Sequence, residues 1–538
     1  MAICQISSLK IINHQMIKVI KEPKIRIMLI LSMLLLFHGF NNYYILTRSR
    51  YSLAPDSMHF LKRSDKICQI LKDTRLDPGS IYSAYDKIYE DDFKPPLFFV
   101  TGSPFFLFTF DKNIAAMSNL IYMAILLFST YGIGKKLYGY KTGLLSAFLV
   151  SMFPTVFALS RIFLVDFALA SMVALTFYLF ILNRFQSLKF SLLTGVVIGL
   201  GSLVKQSYFI FLLPILLYFF SSRDNFANKE VLRGFFLAII VGLALSVSYY
   251  SRNSYDYYHF AFQITNYSSP YFYFDTLLNR QLLPFFSVLF LIALPFSFRK
   301  NTIFLPIMIF AILIVFSLSP NKSDRFILPI FPYVAVIISG FMLSLKGAKK
   351  PLVAALFFIS FFQYFMVCYG KTLPQLHNIT KKVFSDTLDK DFTENRGLFS
   401  IVDEGDWQSE SEKIIKIVSG SKAKIGKTLR VLPIVQEWRI ATSLEYLAKN
   451  KKLKVEFEKV TTNSDFKFRP RIIDKDFNNK MELLDFIIVQ EIAPQEMWLH
   501  TRCLLAAFEG NLGKFELVDT VKFPGQLFCR IYRNCQTI

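Results

Sequence analysis

The sequence predicts a mostly α-helical, polytopic membrane helix bundle followed by a soluble α/β domain. Hydrophobic residues make up 53% of the chain and charged residues 19%, whereas soluble domains carry about 25% charged residues. The apolar residues also form long runs as far as Tyr369, and these runs stop after Gly370. We therefore expect two domains, a transmembrane domain in residues 1–370 and an α/β domain in residues 371–538.

The apolar runs predict about eleven membrane spans, several of them shorter than the roughly 20 residues that usually cross a bilayer. A basic segment precedes the first span, and no cleavage site of small residues follows it, so we expect a retained span rather than a signal peptide. The predicted spans are 27–46, 114–133, 142–159, 166–182, 190–204, 207–221, 234–251, 281–298, 302–319, 326–344 and 351–369.

The basic residues predict the orientation, because cytoplasmic loops of membrane proteins carry an excess of Lys and Arg. With the N-terminus inside, every loop predicted to be inside is basic. An odd number of spans then puts the C-terminal domain outside a plasma (inner) membrane. The inner loops contain Lys135, Lys136 and Lys141; Arg184 and Lys189; Arg223, Lys229 and Arg233; Arg299 and Lys300; and Lys346, Lys349 and Lys350.

The net charge of +22 is thereby explained by loops between spans. Nothing in the sequence indicates a stacking platform or a basic groove, so we expect no nucleic-acid partner.

Two segments that are predicted to lie outside are long. Residues 47–113 are polar and are predicted to contain interfacial helices, while residues 252–280 are rich in Tyr and Phe, which favour the membrane interface. The second segment is predicted to be an interfacial loop or short helix, which either anchors the chain or contacts a lipid.

The C-terminal domain is predicted from short alternating runs and turn residues. Residues 437–450 are predicted to form a helix with Ile440, Leu444 and Leu447 on one face. Cys503, Cys529 and Cys535 lie in a domain where a disulfide is permitted, although unpaired thiols fit the sequence equally well. The predicted strands are 431–435, 454–460 and 485–490, and a hairpin of 515–521 and 527–532 around Pro524-Gly525.

Charged residues beside or within spans are costly and are therefore functional candidates. The outer side combines two carboxylates with several cations. A reaction that releases a lipid phosphate needs fixed cations for the developing negative charge and a carboxylate to accept a proton from the attacking hydroxyl. The candidates are Asp56, Lys94, Arg161, Asp166, Lys205 and Arg325.

Each candidate also has a structural alternative. Asp56 can be an ordinary loop acid, and Lys94 can extend its amine to the lipid headgroups. Arg161 and Asp166 can form an ion pair with each other across a short outer turn. Lys205 and Arg325 can contact lipid phosphates without specificity.

The order of these residues resembles the membrane-embedded C-type glycosyltransferases, in the family 39-like branch that contains protein O-mannosyltransferases and the lipid A aminoarabinose transferase. The resemblance covers most of residues 27–370. It rests on several short motifs in the family's order. These are Asp56 after the first span, Lys94-Pro95-Pro96-Leu97, Arg161 with Leu164-Val165-Asp166, Gly199-Leu200-Gly201 with Lys205, and Arg325-Phe326 with Pro329.

The resemblance implies an inverting glycosyltransferase that uses a polyprenyl-phosphate-linked hexose or pentose as donor. The acceptor would be a hydroxyl of a protein, lipid or glycan on the outer face. By this analogy Asp56 is the general base and Lys94 binds the donor phosphate. Asp166 is the second catalytic candidate and shapes the pocket, and Arg325 and Lys205 contact the phosphate.

One departure from the family pattern concerns metals. The family commonly has Asp-Glu at the first motif, whereas this chain has Asp56-Ser57. A hydroxyl adds no charge, and divalent cations such as Mg²⁺ and Ca²⁺ are bound chiefly through carboxylates. We therefore predict no obligatory metal or other cofactor. Phe326 in place of the usual Tyr is a milder change.

Two other functions are alternatives for a chain with this pattern. A transporter or flippase of lipids or sugars would place charges near the bilayer midplane, often within repeated halves. Here the charges lie on the predicted outer side and no repeat is evident. A non-catalytic assembly protein with the same fold is the other alternative, but the presence of both Asp56 and Lys94 argues against lost catalysis.

Overall fold

A computed structural model describes most of the chain. The described residues fold into two compact units, which fall within Met1–Thr47, Ile67–Pro104 and Asn113–Ile401, and within Arg48–Lys66, Phe105–Lys112 and Val402–Ile538. The described residues are 23–51, 53, 55–90, 94–220, 228–263, 269–299, 302–319, 322–345, 349–369, 405–420, 428–435, 437–458, 483–491, 504–506 and 508–535.

Helices account for nearly all of the described chain as far as Tyr369, as the apolar runs predict. Short 3₁₀ segments follow several of them, and a π-helical turn covers Thr276–Gln281. The α-helices are α1 (Pro23–Arg48), α2 (Pro55–Asp73), α3 (Pro78–Glu90), α4 (Leu97–Gly102), α5 (Lys112–Ala116), α6 (Asn119–Tyr138), α7 (Tyr140–Met152), α8 (Pro154–Leu159), α9 (Val165–Asn183), α10 (Leu188–Ser202), α11 (Tyr208–Phe220), α12 (Lys229–Gln263), α13 (Phe272–Asp275), α14 (Leu283–Ala293), α15 (Phe304–Leu318), α16 (Phe331–Ser344) and α17 (Lys349–Tyr369).

Every predicted span overlaps a helix, so the helical character of the apolar runs is confirmed. Within the described ranges, six helices have the length and hydropathy to cross a bilayer. The pair Phe272–Gln281 and Leu283–Ser297, bent by 116°, makes a seventh if it is one broken span. The count of eleven and its orientation stay predictions. The six are Lys24–Arg48, Lys112–Tyr138, Val165–Asn183, Lys229–Asn253, Asp324–Ser344 and Lys350–Tyr369.

Two spans form the centre of this bundle. In Val165–Asn183 and Asp324–Ser344, 83% of the most apolar window is buried, compared with 17% in Lys24–Arg48. A helix that is apolar on all sides is typical of a core position. The residues at the N-terminal ends of these two helices therefore lie in a well-packed part of the bundle.

Proline explains one break in a predicted span. The run 142–159 is divided between α7 and α8 by Phe153, whose backbone is extended, with φ −68° and ψ 130°. Pro154 follows, and a proline disfavours helical geometry in the residue before it.

The described part of the aromatic segment 252–280 is largely helical. Helix α12 continues to Gln263, and a second helical stretch begins at Phe272. Residues 264–268 lie outside the described residues.

Close packing between α10 and α12 leads to a testable expectation. A Cβ atom on Gly195 would lie 2.7 Å from the backbone oxygen of Ala238 and 2.9 Å from Cβ of Val241. The variant Gly195→Ala is expected to lower the free energy of unfolding by roughly 1–3 kcal/mol through overpacking. Thermal unfolding in detergent checks this. Gly420→Ala is the control, since no described atom beyond its own helix and chain neighbours lies within 4 Å of the added Cβ. Equal unfolding temperatures for both variants would contradict the expectation.

The C-terminal part of the second unit contains a mixed five-stranded sheet in the order β2-β1-β3-β5-β4. Strand β1 pairs in parallel with β2 and β3, whereas β5 pairs antiparallel with β3 and β4. Two helices belong to the same part. The elements are α18 (Gly405–Gly420), β1 (Leu429–Ile434), α19 (Trp438–Asn450), β2 (Val455–Phe457), β3 (Phe486–Gln490), β4 (Phe515–Phe523) and β5 (Leu527–Asn534).

The predicted elements of this domain are confirmed to within a few residues. The hairpin forms around Pro524, and Ile440, Leu444 and Leu447 are all buried on one face of α19. The last residues of the predicted strand 454–460 lie outside the described residues.

The cysteines of this domain that the structure describes are free thiols. Cys529 is buried and Cys535 is exposed, and neither forms a disulfide; Cys503 lies outside the described residues. Burial, together with the nearby Glu491 carboxylate, raises the pKa of the Cys529 thiol to about 12. The thiol therefore stays protonated and unreactive at neutral pH.

Candidate functional site

A buried carboxylate lies at the start of the central helix α9. Asp166 is the second residue of this helix, directly after the extended backbone of Leu164. Its side chain is 2% exposed. A carboxylate in the first turn of a helix interacts favourably with the helix dipole, but burial of a charge at this level also requires charged partners.

Two cations provide these partners. Lys205 Nζ lies 2.6 Å from Asp166 Oδ1, and Arg325 Nε lies 3.5 Å from Asp166 Oδ2. The side chains of Lys205 and Arg325 are 22% and 17% exposed. One carboxylate therefore orients two cations that remain partly accessible, and the three groups together carry a net charge of +1. The alternative of a pair between Arg161 and Asp166 is wrong.

The local fold of the α10–α11 connection presents Lys205. The Lys205 carbonyl accepts a hydrogen bond from the amide of Tyr208 at 3.0 Å. The Lys205 Nζ lies 4.6 Å from the ring centroid of Phe326, a distance typical of a cation–π interaction. Phe326 thus contacts a predicted site residue.

The same connection contacts the segment that carries Lys94. The amide of Leu97 donates a hydrogen bond of 2.9 Å to the carbonyl of Leu203, two residues before Lys205. Lys94 is half-buried and precedes Pro95 and Pro96, whose rings fix the backbone φ angle. The structure therefore brings the predicted motifs around Lys94 and Lys205 together.

Arg325 is held by a short 3₁₀ segment, Asp324–Ile330, that leads into α16. The Asp324 carboxylate accepts a hydrogen bond of 3.0 Å from the Arg325 amide. Gln281 Nε2 donates to the Asp324 carbonyl at 2.5 Å, and Tyr273 Oη accepts from the Ser323 amide at 3.2 Å. Two residues of the bent helix pair thus anchor the turn that presents Arg325.

Arg161 has a different role from Asp166. It is fully buried, with Nε 2.9 Å from Asn42 Oδ1 and a terminal nitrogen 2.9 Å from Tyr364 Oη and 3.3 Å from Cys368 Sγ. These contacts join the turn between α8 and α9 to α1 and α17. Asn42, Tyr364 and Cys368 are not predicted site residues, although a polar Asn in an apolar span is a signal that marks an internal contact.

Asp56 is the second residue of α2, and its side chain is half-buried. It lies in a regular helix, so the alternative of an ordinary loop acid does not describe its position. Asp56 belongs to the second unit, whereas Lys94, Asp166, Lys205 and Arg325 belong to the first.

Among the described residues, no three His, Cys, Asp or Glu side chains are grouped so that they could hold a metal ion.

Comparisons with known proteins identify the class to which this fold is similar. Residues 94–250 match the profile of the family described as dolichyl-phosphate-mannose-protein mannosyltransferase. A comparison with curated protein sequences found no match. The matched residues include Lys94, Asp166 and Lys205.

Solved structures match over nearly the whole chain. ArnT from Cupriavidus metallidurans bound to undecaprenyl phosphate is 12% identical with a TM-score of 0.62, and the match covers 93% of this chain and 97% of that chain. The apo structure of the same protein has a TM-score of 0.61, with the same identity and coverage. The archaeal oligosaccharyltransferase AglB from Archaeoglobus fulgidus, in complex with an inhibitory peptide and a dolichol-phosphate, is 12% identical with a TM-score of 0.52, covering 95% and 74% of the two chains.

The chain therefore has the fold of the membrane-embedded C-type glycosyltransferases. The resemblance drawn from the order of the sequence motifs is confirmed.

Proposed function

We propose that the chain is an inverting glycosyltransferase that moves a sugar from a polyprenyl-phosphate donor to an acceptor hydroxyl at the outer face of the membrane. The observation that carries the proposal is the cluster in which buried Asp166 orients Lys205 and Arg325, beside the segment of Lys94. Partly accessible cations of this kind suit an anionic phosphate ligand.

The solved structures with the same fold support this donor class. ArnT from Cupriavidus metallidurans was solved with undecaprenyl phosphate, and AglB with a dolichol-phosphate and a peptide. The shared chemistry of these ligands is a phosphate on a long isoprenoid chain. For this chain we propose a polyprenyl-phosphate sugar as donor and a protein, lipid or glycan hydroxyl as acceptor.

The proposed reaction is a single displacement. The acceptor oxygen forms a bond to the anomeric carbon while the bond from that carbon to the phosphate oxygen breaks, and polyprenyl phosphate leaves with the bonding electrons. Asp56 accepts the acceptor proton as general base. Lys94, with Lys205 and Arg325, stabilises the charge that develops on the phosphate, and Asp166 keeps these last two cations in position.

The topology that we propose has eleven spans, the N-terminus in the cytoplasm and the C-terminal domain outside. It is supported by the basic loops that alternate with the apolar runs. It implies a plasma (inner) membrane location, with a transmembrane domain of residues 1–370 and an outer domain of residues 371–538. Cysteine-labelling from either side of the membrane tests each loop.

The first experiment places purified protein in proteoliposomes with a panel of polyprenyl-phosphate sugars and crude acceptor membranes. Mass spectrometry measures the release of free polyprenyl phosphate and the gain of sugar mass on the acceptor. We expect both products from the wild type in the presence of one donor. No reaction with any donor and acceptor pair would contradict the proposal and favour a non-catalytic assembly protein.

Removal of the Lys94 amine is expected to weaken donor use. Lys94→Ala is expected to raise the donor KM and lower kcat/KM by roughly 10- to 100-fold, since a charge-assisted contact to phosphate contributes about 1.5–3 kcal/mol. Lys94→Arg should recover part of the activity. Initial rates at varied donor concentration measure this, with Lys87→Ala on α3 as the control; equal loss in both lysine variants would contradict a specific phosphate contact.

Transfer is expected to be independent of divalent metal. The first motif contributes Asp56 followed by Ser57, so it offers one carboxylate where metal coordination favours several. Treatment with EDTA should leave the rate of transfer unchanged. Loss of transfer that Mg²⁺ or Mn²⁺ restores would refute the expectation.

A lipid or sugar flippase is the second candidate, and the bent pair Phe272–Gln281 and Leu283–Ser297 is the observation that favours it. Broken helices frequently form binding sites in transporters. The proteoliposome assay separates the two functions. A flippase moves donor between leaflets and leaves the sugar–phosphate bond intact, whereas the transferase releases polyprenyl phosphate.

A further inference from the structure

We propose that the C-terminal α/β domain positions Asp56 for proton transfer by holding both ends of the segment around it. This inference rests on the proposed role of Asp56 as general base. The observation behind it is that Arg48–Lys66 and Phe105–Lys112 fold into one compact unit with the C-terminal residues. The contacts come from two successive turns of helix α19. We call Glu445, Tyr446, Lys449 and Asn450 the α19 contact surface.

The first set of contacts holds the helix that carries Asp56. Lys62 forms an ion pair with Glu445, and Asp65 Oδ2 lies 3.4 Å from Lys449 Nζ. Lys62 and Asp65 are three residues apart, so they share one face of α2. At about 100° per residue, Asp56 lies on roughly the opposite face of the same helix. The α19 contact surface therefore contacts the face of α2 that carries Lys62 and Asp65. These contacts do not cover the face that carries Asp56.

The second set of contacts holds the backbone just before Asp56. The buried Lys112 amine donates a hydrogen bond to the carbonyl of Tyr51, five residues before Asp56. The same amine lies 3.8 Å from the ring centroid of Tyr51 and 5.2 Å from that of Tyr446. Two aromatic faces thus compensate part of the cost of burying this cation.

The α19 contact surface also fixes the segment that carries Lys112. Asn450 Nδ2 donates a hydrogen bond of 2.8 Å to the carbonyl of Phe110. Lys449 Nζ lies 5.0 Å from the ring centroid of Phe110. The α19 contact surface therefore acts on both sides of Asp56, directly through Lys62 and Asp65 and indirectly through Lys112 and Tyr51.

The expected function of these contacts is to restrict the position of the base. General-base catalysis requires the carboxylate within hydrogen-bond reach of the proton that it accepts. A displacement of about 1 Å at a reacting group can reduce a rate by roughly 100-fold. Loosening the α19 contact surface should therefore lower kcat and leave the donor KM unchanged, because donor binding does not depend on where the base lies. Glu445, Lys449 and Asn450 are thus positioning residues.

The test uses charge reversal in the full-length protein. Lys449→Asp and Asp65→Lys should each lower kcat by roughly 10- to 100-fold, and the double variant Asp65→Lys/Lys449→Asp should return kcat close to the wild-type value. The donor KM should stay constant in all three. Glu516→Lys is the matched control, since it breaks an ion pair with Arg533 in the same domain on the β4–β5 hairpin.

Hydrogen–deuterium exchange of residues 55–62 provides a readout independent of transfer. Exchange there should accelerate in each single variant and return to the wild-type rate in the double variant, while Glu516→Lys leaves it unchanged. Active single variants with wild-type kcat, or unchanged exchange, would overturn the positioning role while leaving the proposed function intact. Absence of transfer in the wild type would overturn the proposed function, and the positioning role with it.

Discussion

Asp56→Asn is expected to abolish sugar transfer while the protein remains folded. The substitution keeps the size of the side chain and removes its capacity to accept a proton. General acid–base catalysis contributes about 10²- to 10⁴-fold to a rate, so kcat should fall by roughly that factor. Release of polyprenyl phosphate by purified protein in proteoliposomes measures the effect.

The control for this variant is Asp73→Asn, which changes an exposed carboxylate at the far end of the same helix α2. We expect wild-type transfer from this control and the same thermal unfolding temperature for both variants. Undiminished transfer by folded Asp56→Asn would remove Asp56 as the base. Comparable loss in both variants would instead indicate a structural effect of altering α2.

Asp166→Ala is expected to affect stability and transfer together. Removal of one partner from a buried ion pair costs about 3–5 kcal/mol, because the remaining charge loses its compensation. Lys205 and Arg325 are 22% and 17% exposed, so water can screen part of that cost and we expect roughly 2–4 kcal/mol. Thermal unfolding in detergent measures the loss. Asp275→Ala is the control, since its pair with Arg280 is 4.0 Å long and half-exposed.

A double variant separates the two consequences. Asp166→Asn combined with Lys205→Met removes one charge of each sign, so most of the stability should return. Transfer should stay low, because Arg325 loses the carboxylate that orients it and Lys205 no longer contributes a cation. Recovery of both stability and transfer would show that the cluster has only a structural role.

Much of the secondary structure can be predicted from the sequence, because hydropathy and periodicity are local properties. The apolar run 166–182 predicts a helix that the structure gives as Val165–Asn183. The heptad-like spacing of Ile440, Leu444 and Leu447 predicts the buried face of α19. The structure departs from the prediction where a single residue interrupts an apolar run, as Pro154 does between α7 and α8.

The candidate site was less accessible to prediction. Asp166, Lys205 and Arg325 can each be selected because charges beside apolar spans are costly. Their pairing could not be predicted, since Arg161 lies much closer in sequence to Asp166 than Lys205, which is 39 positions away. Arg161 instead contacts Asn42, 119 positions away. Spacing along the chain carries no information on which distant segments pack together.

The sequence alone determined that this protein is a helical membrane protein with a small C-terminal sheet, and it supplied the order of charged motifs that resembles C-type glycosyltransferases. Those features depend on burial in hydrocarbon and on local backbone preferences, which neighbouring residues dictate. The tertiary structure decided which cations Asp166 holds, and that the start of α2 folds together with α19. Both outcomes depend on contacts between distant segments, where the free energy of burying a charge is recovered only if a partner from elsewhere in the chain reaches it.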